Sequence, residues 1–325
     1  MQWEDENNYK KFKKMKIKEF KQHHYLNTMI VEFETDDMSA LNVYPAGHYI
    51  DKGLCKVMEQ KDEELGNIFI INESDDYLLF TDMDILVGAK QNRIVNVSTL
   101  VKPHSKSNLE VSCIEQNRWD NSFHDFKNSE QSIDPDFRRN KLNFIASKTE
   151  TEEYRNDLQS GLWSEIRERI EVKSENNPTS DYSSSLRTEK EKRSKGKIPT
   201  MQADVNCNGI AIFIDGKLVN VEIFANTALY QYYFEKITEH YLHTAHSGTS
   251  KDLSREEIRN LVNKEIGMCL FFNTVSGKNG MGELRFMDGE VRKGFELSFI
   301  GEKIHEVVFL DWTMDDRRWT MDHRR

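Results

Sequence analysis

The sequence predicts an α+β protein in which antiparallel, sandwich-like β-sheets pack with a few helices. Short apolar or alternating runs of strand length recur between polar turns across residues 28–119 and 205–312. Helical spacing of apolar residues is confined to a few segments, near residues 160–170, 227–245 and 254–266. Strands and helices do not alternate regularly, so the pattern does not favour βαβ units and a parallel sheet.

The first 27 residues form a basic, amphipathic segment. Lysines alternate with apolar residues at a spacing of three to four, which predicts a short amphipathic helix. Such a helix usually packs on its own domain with its lysines in water. Binding to a membrane surface or to a partner is the alternative interpretation.

Residues 28–119 predict a series of β-strands. An alternating pattern occupies residues 29–33, and apolar or β-branched runs occupy residues 68–71, 78–87 and 94–101. Clusters of Asn, Asp, Ser and Lys separate these runs, as expected for the turns of hairpins in an antiparallel sheet or sandwich.

Residues 120–200 are more polar and predict an insertion of helices and loops. Leu162, Trp163, Ile166 and Ile170 lie at helical spacing among charged residues. The part at residues 174–197 is rich in Ser, Asn, Lys and Glu and has few apolar residues to bury, so we predict that it is mobile.

Residues 205–312 predict a hairpin, two helices and closing strands. Two apolar runs flank Asp215 and Gly216, a strong hairpin signal. The helix at 227–245 has an apolar stripe made of Tyr230, Phe234, Ile237 and Tyr241. Ser254 is the expected N-cap of the next helix. We therefore interpret residues 28–312 as one domain, followed by a charged tail at 313–325.

Composition excludes several classes of protein. The formal net charge of -10 argues against broad binding of nucleic acid, which requires many Lys and Arg side chains to neutralise phosphates. No apolar run approaches the roughly 20 residues of a membrane span, and the N-terminus has no apolar stretch of a secretory signal. The four cysteines are scattered and fit reduced thiols, so we expect a cytoplasmic protein.

Three other motifs do not predict chemistry. His240, His243 and His246 recur every three residues, and each step turns a helix by about 300°, so two rings could share a metal with ligands from elsewhere but all three do not easily converge. We therefore assign no metal ligands. The glycine-rich residues 277–282 lack the P-loop pattern and fit a hairpin turn. Cys113 stands among apolar residues, where burial suppresses the reactive thiolate.

Two unusual polar motifs stand out. Residues 88–93 read Gly-Ala-Lys-Gln-Asn-Arg directly after a strand-like run, and residues 111–119 read Val-Ser-Cys-Ile-Glu-Gln-Asn-Arg-Trp. In the first motif, Lys90 and Arg93 can hold a phosphate or pyrophosphate. Gln91 and Asn92 both donate and accept hydrogen bonds, which suits a nucleobase edge or ribose hydroxyls.

The other candidate site residues belong to the second motif or, in the case of Asp84, precede the first motif. Arg118 is a further anion contact, and Trp119 offers a face on which a base can stack. Asp84 and Glu115 are the candidate catalytic groups, as general bases or as metal-ligating oxygens. The alternative is structural, with Glu115 paired internally to an arginine and Trp119 in the core.

The order of these motifs resembles the family of ARG and rhodanese-phosphatase-superfamily-associated protein domains, in which ARG stands for ADP-ribosylglycohydrolase. The family has a strand ending in an acidic pair, a Gly-Ala-Lys-Gln-Asn-Arg turn, another strand and a Val-Ser-Cys-x-Glu-x-x-Arg-Trp segment. Residues 88–93 and 111–119 match these motifs. Weaker similarity, including Phe137 and Arg138, extends over most of the chain from residue 41 to residue 312.

The chain departs from the family pattern at one place. Where the family has Asp-Gly-Glu before the turn, this chain has Asp82-Met83-Asp84, so the last acid is shorter by one methylene. This change bears on any catalytic or ligating role of Asp84.

The resemblance implies an association with enzymes that remove ADP-ribose or phosphoryl groups in microbial conflict and immunity. We accordingly predict recognition or processing of a nucleotide or ADP-ribose-type ligand. The alternative is a non-catalytic interaction or scaffold module with protein partners. A ligand site predicts that Lys90, Arg93 and Glu115 converge, whereas a scaffold predicts that they are paired internally. The sequence indicates neither a particular reaction nor a cofactor.

Overall fold

The computed structural model describes nine ranges of the chain, which are residues 15–59, 66–117, 125–145, 152–172, 177–193, 198–248, 252–266, 273–276 and 280–310. Within these ranges it contains seventeen strands and six helices. Its β-rich, largely antiparallel architecture confirms the predicted α+β class.

The strands before the helical insertion are β1 (Ile17–Tyr25), β2 (Thr28–Thr35), β3 (Val43–Pro45), β4 (Cys55–Glu59), β5 (Asn67–Asn72), β6 (Tyr77–Phe80), β7 (Asp84–Gly88), β8 (Arg93–Val95), β9 (Thr99–Val101), β10 (Ser105–Cys113) and β11 (Phe126–Ser132). Those after it are β12 (Gly209–Ile214), β13 (Lys217–Phe224), β14 (Asn273–Ser276), β15 (Glu283–Asp288), β16 (Arg292–Phe299) and β17 (Glu302–Leu310). The helices are α1 (Ala46–Asp51), α2 (Pro135–Ile145), α3 (Glu152–Val172), α4 (Tyr182–Arg193), α5 (Thr227–Thr244) and α6 (Arg255–Ile266).

The largest sheet has eight antiparallel strands in the order β1-β2-β12-β13-β17-β16-β15-β14. Its centre is the predicted hairpin of β12 and β13, which turns at Asp215 (φ 49°) and Gly216 (φ 74°). Positive φ at both turn residues matches the right-handed twist of hairpin strands. One face of the sheet packs against α5 and the main core, and the other face packs against α6.

The second sheet has six antiparallel strands in the order β11-β7-β8-β10-β5-β4. A bridge between Met58 and Asp125 joins its last strand to the residue before its first, so the sheet curls back on itself. Apolar side chains from its strands, including Val57, Ile70 and Leu109, fill the inside. One mouth of this curled sheet is therefore surrounded by the ends of β4, β7 and β10 and by the start of β8.

A three-stranded sheet of β3, β6 and β9 links the two larger ones. Its β3–β6 pair is parallel, the single exception to antiparallel pairing among the described strands. The helices predicted near residues 160–170, 227–245 and 254–266 are confirmed as α3, α5 and α6. Ser254 and Glu257 exchange side-chain and backbone hydrogen bonds at the start of α6, which confirms the predicted cap.

The predicted N-terminal helix is wrong for residues 17–25, which form strand β1, while residues 1–14 lie outside the described ranges. The register of β1 shifts between Ile17 and Phe20 because of a bulge. The bulge places both apolar residues on the α6 side although they are three positions apart. This spacing resembles that of a helix face, so periodicity alone was misleading.

Residues 174–197 contain more packed structure than their composition indicated. Helix α4 occupies residues 182–193, and Tyr182 and Leu186 are buried in the main core. Residues 174–176 and 194–197 lie outside the described ranges, and the mobility of this segment stays a prediction.

Two other expectations can be compared with the described residues. Cys55, Cys113 and Cys207 are buried free thiols, as expected. Among the helices in the described ranges, none has both the length and the apolar character needed to cross a bilayer.

Candidate functional site

The two polar motifs meet at the mouth of the curled sheet. Arg93 pairs with Cys113 in the β8–β10 ladder. Just before this pair, the Gln91 side chain donates to the backbone oxygen of Glu115 at 2.7 Å. The backbone N–H of Asn92 points to the Glu115 carboxylate at 3.4 Å. Residues 88–93, 113–117 and 177–183 are together called the turn cluster below.

An unusual backbone conformation shapes the first motif. Gly88 and Ala89 both have positive φ, at 112° and 44°. Positive φ is strained for a residue with a side chain, and such strain persists where surrounding contacts enforce it, often at functional sites. The contacts here include Asn92, whose side-chain oxygen accepts from the Gly88 N–H at 3.0 Å and whose amide donates to Asp181 at 3.2 Å.

Helices α3 and α4 hold the second motif from outside the sheet. Gln159 on α3 makes two hydrogen bonds to the backbone of Cys113, at 2.7 and 2.9 Å, and so extends the β10 ladder. Asp181 caps the start of α4 and forms a β-bridge with Glu115. Asn117 donates its backbone N–H to Thr179 at 3.0 Å. Neither Gln159 nor Asp181 was predicted from the sequence as a site residue.

Arg93 lies on the inner face of the curled sheet, because it is paired with Leu86, which belongs to the inside core. Its guanidinium donates to the Gln91 side chain at 3.1 Å and touches the Cys113 sulfur. A third contact reaches Glu59, across the mouth on β4, at 3.3 Å. Although Arg93 is only 1% exposed, its Nε–H has no acceptor among the described residues.

The other predicted site residues fall into three groups. Lys90 is half-buried on the turn and Glu115 is buried beside it, so both share the cluster with Arg93. Arg118 and Trp119 directly follow the second motif but lie outside the described ranges. Asp84 is at the opposite end of β7 from Gly88, four residues away, which is about 13 Å at roughly 3.3 Å per residue.

Asp84 therefore belongs to a different polar centre from Glu115. Its carboxylate accepts from the Thr81 N–H and the Tyr233 hydroxyl, both at 2.8 Å, and lies 3.2 Å from the ammonium of Lys236. These donors tie the β6–β7 turn to α5. The structure does not bring the two candidate catalytic acids together.

A buried ion cluster next to this centre was not identified as a site from the sequence. Arg138 on α2 makes two hydrogen bonds to Asp82 and two to Glu222, all between 2.9 and 3.0 Å. Burial disfavours the charged carboxylates, but Arg138 outweighs it and lowers the pKa of both Asp82 and Glu222. The cluster thus joins α2, the turn before β7 and the centre of the large sheet.

His305 completes the ion cluster. The hydroxyl of Ser98 accepts from the Asp82 N–H at 3.2 Å and lies 2.8 Å from His305 Nδ1. The other ring nitrogen then donates to Glu222 at 2.9 Å. Ligand atoms of Asp82, Glu222 and His305 lie within 4.8 Å of one another, close enough to share a metal. Arg138 already occupies the oxygens of both carboxylates with hydrogen bonds, so this arrangement fits an internal ion clamp.

Lys141 lies beside the ion cluster and gives a prediction for pH dependence. Its ammonium donates to the backbone oxygens of Asp82 and Val95, and burial lowers its pKa to about 7 from the ordinary 10.5. The unfolded chain therefore binds more protons between these two pH values, and this group makes stability rise with pH there. Urea unfolding at pH 7 and pH 9 should show a more positive slope for the parent than for Lys141→Met. Equal slopes would contradict the prediction.

The three histidines of the α5 region have separate partners. His240 contacts Ser132, His243 pairs with Glu239, and His246 bonds to Asn27. The structure therefore gives no shared ligand set for these three described rings. Residues 277–279 of the glycine-rich motif lie outside the described ranges.

The fold and the turn cluster define an α+β protein with a polar cluster at the mouth of a curled antiparallel sheet. The chain belongs to the family of the ARG and Rhodanese-Phosphatase-superfamily-associated Protein domain, whose model matches residues 14–309. This confirms the resemblance seen in the motifs, and the family name links the domain with ADP-ribose-related enzymes. Comparisons with curated proteins and with solved structures found no match.

Proposed function

We propose that the chain recognises a nucleotide or ADP-ribose-type ligand at the turn cluster, with Arg93 as its main phosphate contact. The observation that carries this proposal is the unsatisfied Nε–H of a nearly fully buried guanidinium. A buried donor without an acceptor costs about 1–3 kcal/mol, so it calls for an explanation. A phosphate oxygen at the mouth of the sheet would be a suitable acceptor for that donor.

A comparison of two buried arginines in this chain supports the proposal. Arg138 makes four short hydrogen bonds to two carboxylates, which is the pattern of a closed structural clamp. Among the described residues, Arg93 has a single carboxylate partner, Glu59, at 3.3 Å. The mouths of curled sheets are also common places for ligands. Arg93 is therefore the buried arginine better suited to bind an external anion.

The other residues of the cluster take different roles in this proposal. Lys90, half-buried on the strained turn, supplies a second positive charge near the phosphates. Glu115 accepts hydrogen bonds from ribose hydroxyls and is the candidate proton acceptor if the ligand is also processed. Gln91 and Asn92 hold the two turns together through the hydrogen bonds described above.

Three of the predicted residues have a less direct place in the site. Arg118 and Trp119 follow Asn117 in the chain and remain the proposed second anion contact and stacking face. Asp84 is separated from the cluster along β7, so we assign it no contact with this ligand. The microbial conflict setting remains part of the proposal and rests on what the family resemblance implies.

Calorimetric titration with ADP-ribose tests the proposal. Each charge-assisted contact contributes about 1.5–3 kcal/mol, so Arg93→Ala should weaken binding roughly tenfold to a hundredfold. Arg285→Ala, which removes an arginine of the large sheet paired with Glu283, should bind like the parent. Failure of the parent to bind ADP-ribose or a related nucleotide would reject the proposal. Binding without turnover by the parent would restrict the function to recognition.

A second candidate is a non-catalytic interaction or scaffold module that acts with ADP-ribose- or phosphate-processing enzymes. The specific observation in its favour is that Gln91, Asn92 and Asp84 all have partners inside the molecule. Under this alternative Arg93 likewise binds no ligand, and its only role is to stabilise the fold. Arg93→Ala and Glu115→Gln would then both lower the melting temperature substantially, and ADP-ribose would not shift the melting temperature of the parent.

A further inference from the structure

Glu59, the last residue of β4, is the partner of Arg93 that the sequence did not single out. It follows Cys55 and Val57 on alternate positions of the strand, and both belong to the inside core. Alternation therefore directs Glu59 to the inner face as well. Its side chain is 9% exposed, and its carboxylate lies across the mouth from β8, 3.3 Å from the Arg93 guanidinium.

The contact between Glu59 and Arg93 is loose compared with two other arginine pairs, one buried and one partly exposed. One carboxylate oxygen meets one guanidinium nitrogen at 3.3 Å. By contrast, Arg138 meets both of its carboxylates in bidentate fashion, and Arg169 reaches Asp134 at 2.7 Å. A single long contact holds the guanidinium weakly, so a ligand phosphate can compete with Glu59 for Arg93.

We propose that Glu59 is a specificity-determining residue that makes the site favour phosphates with one negative charge, as in a diester of pyrophosphate, over terminal phosphates with nearly two. This inference rests on the proposed function of the turn cluster. A phosphate that binds Arg93 must approach the Glu59 carboxylate, and like charges brought together at a binding site oppose each other. The more negative the phosphate, the larger this penalty becomes.

The two phosphate classes differ in charge at neutral pH. A phosphomonoester has a second pKa near 6 and so carries nearly two negative charges, whereas each phosphate in a pyrophosphate diester carries about one. Glu115 adds a second buried carboxylate to the same cluster and strengthens the discrimination. ADP-ribose belongs to the favoured class, because ribose esterifies the terminal phosphate that is free in ADP.

The test compares ADP-ribose with ADP, which share adenosine and two phosphates, by calorimetric titration at about pH 7.5, above the second phosphate pKa. EDTA in the buffer excludes divalent cations. The parent should prefer ADP-ribose. Glu59→Gln keeps the shape of the side chain without its charge, and should improve ADP binding about tenfold but ADP-ribose binding less than about threefold.

Glu73→Gln is the matched control. Glu73 lies beside the same sheet, is paired with Lys56 and makes no contact with Arg93 in the described structure. It should leave the ratio of the two affinities unchanged. Glu59→Asp retains the charge but withdraws it by one methylene, and its ratio of the two affinities should lie between those of the parent and Glu59→Gln. This variant also serves as the test if Glu59→Gln does not fold.

The outcomes separate this inference from the proposed function. Suppose that the parent binds ADP-ribose and that both Glu59 variants have the same ratio of ADP affinity to ADP-ribose affinity as the parent. Glu59 then does not set specificity, although the ligand site stands. Equal gains for the two ligands would also overturn the inference, because a general charge effect would explain them. If the parent binds neither ligand, the proposed function itself fails.

Discussion

Replacing Arg138 by Met is expected to lower the free energy of unfolding by about 3–5 kcal/mol. Methionine fills much of the same space, but it leaves the carboxylates of Asp82 and Glu222 buried without their cation. Removal of one partner from a buried ion pair is costly because the remaining charge has been taken out of water. Urea unfolding followed by circular dichroism measures the change.

Two further variants identify the cause of this loss. Arg285→Met removes an arginine that is 20% exposed and whose main partner, Glu283, is 56% exposed. Its second carboxylate neighbour, Glu296 at 3.9 Å, keeps Lys303 as a partner, so the change should cost less than about 1 kcal/mol. Adding Asp82→Asn and Glu222→Gln to Arg138→Met removes the unpaired charges and should restore part of the stability. If the single Arg138 variant were as stable as the Arg285 variant, the ion cluster would not be a structural clamp.

Replacing Gly294 by Ala is expected to destabilise the large sheet by about 3 kcal/mol, at the upper end of the cost of overpacking. Gly294 lies on β16 opposite Val308. A Cβ added there would lie 2.0 Å from the Val307 backbone oxygen and 3.1 Å from the Val308 Cα. Backbone atoms of a paired strand cannot move aside as a flexible side chain can, so the β16–β17 pairing must shift.

Gly289→Ala is the control for this prediction. It lies just before β16, where an added Cβ would meet its nearest neighbour, the Arg292 oxygen, at an ordinary 3.4 Å. Urea unfolding should therefore show a change within about 0.5 kcal/mol of the parent. Equal stabilities of the two alanine variants would show that the β16–β17 pair tolerates the extra atom.

The ion cluster and the large sheet both support the candidate site. The ion cluster ties α2 to the turn before β7, and β7 runs from there to the strained turn at Gly88 and Ala89. The same α2 packs against α3, whose Gln159 holds the second motif. The turn cluster is thus positioned by groups deep in the core, which explains why its backbone can keep an unfavourable conformation.

The sequence predicted most strands because their side-chain patterns are local. The hairpin at Asp215 and Gly216 and the cap at Ser254 were both found where turn and cap chemistry indicated them. Strand β1 was missed because its bulge imitates helical spacing, and α4 was missed because its anchors, Tyr182 and Leu186, stand alone in a polar stretch. The structural role of a bulge, or of an isolated apolar residue, depends on the residues that it contacts in the folded protein.

The candidate site divides in the same way. Chain order alone indicated that residues 88–93 and 111–119 belong together, and strand pairing does bring Arg93 to Cys113. Strand β7 is five residues long, and Asp84 lies at the end away from Glu115. Sequence could not reveal that Asp84 therefore contacts Lys236 instead of joining Glu115. Nor could it show that Glu59 faces Arg93, since no local pattern joins residues so far apart.

By itself, therefore, the sequence determined the fold class, the family and the two motifs that form the turn cluster. These follow from the residue types and from spacing along the chain. The tertiary structure alone decided which charges are neutralised, with Arg138 closed between two carboxylates and Arg93 held loosely by Glu59. The physical reason is that the partner of a buried charge is chosen by distance in space, which pairing across sheets and helices sets.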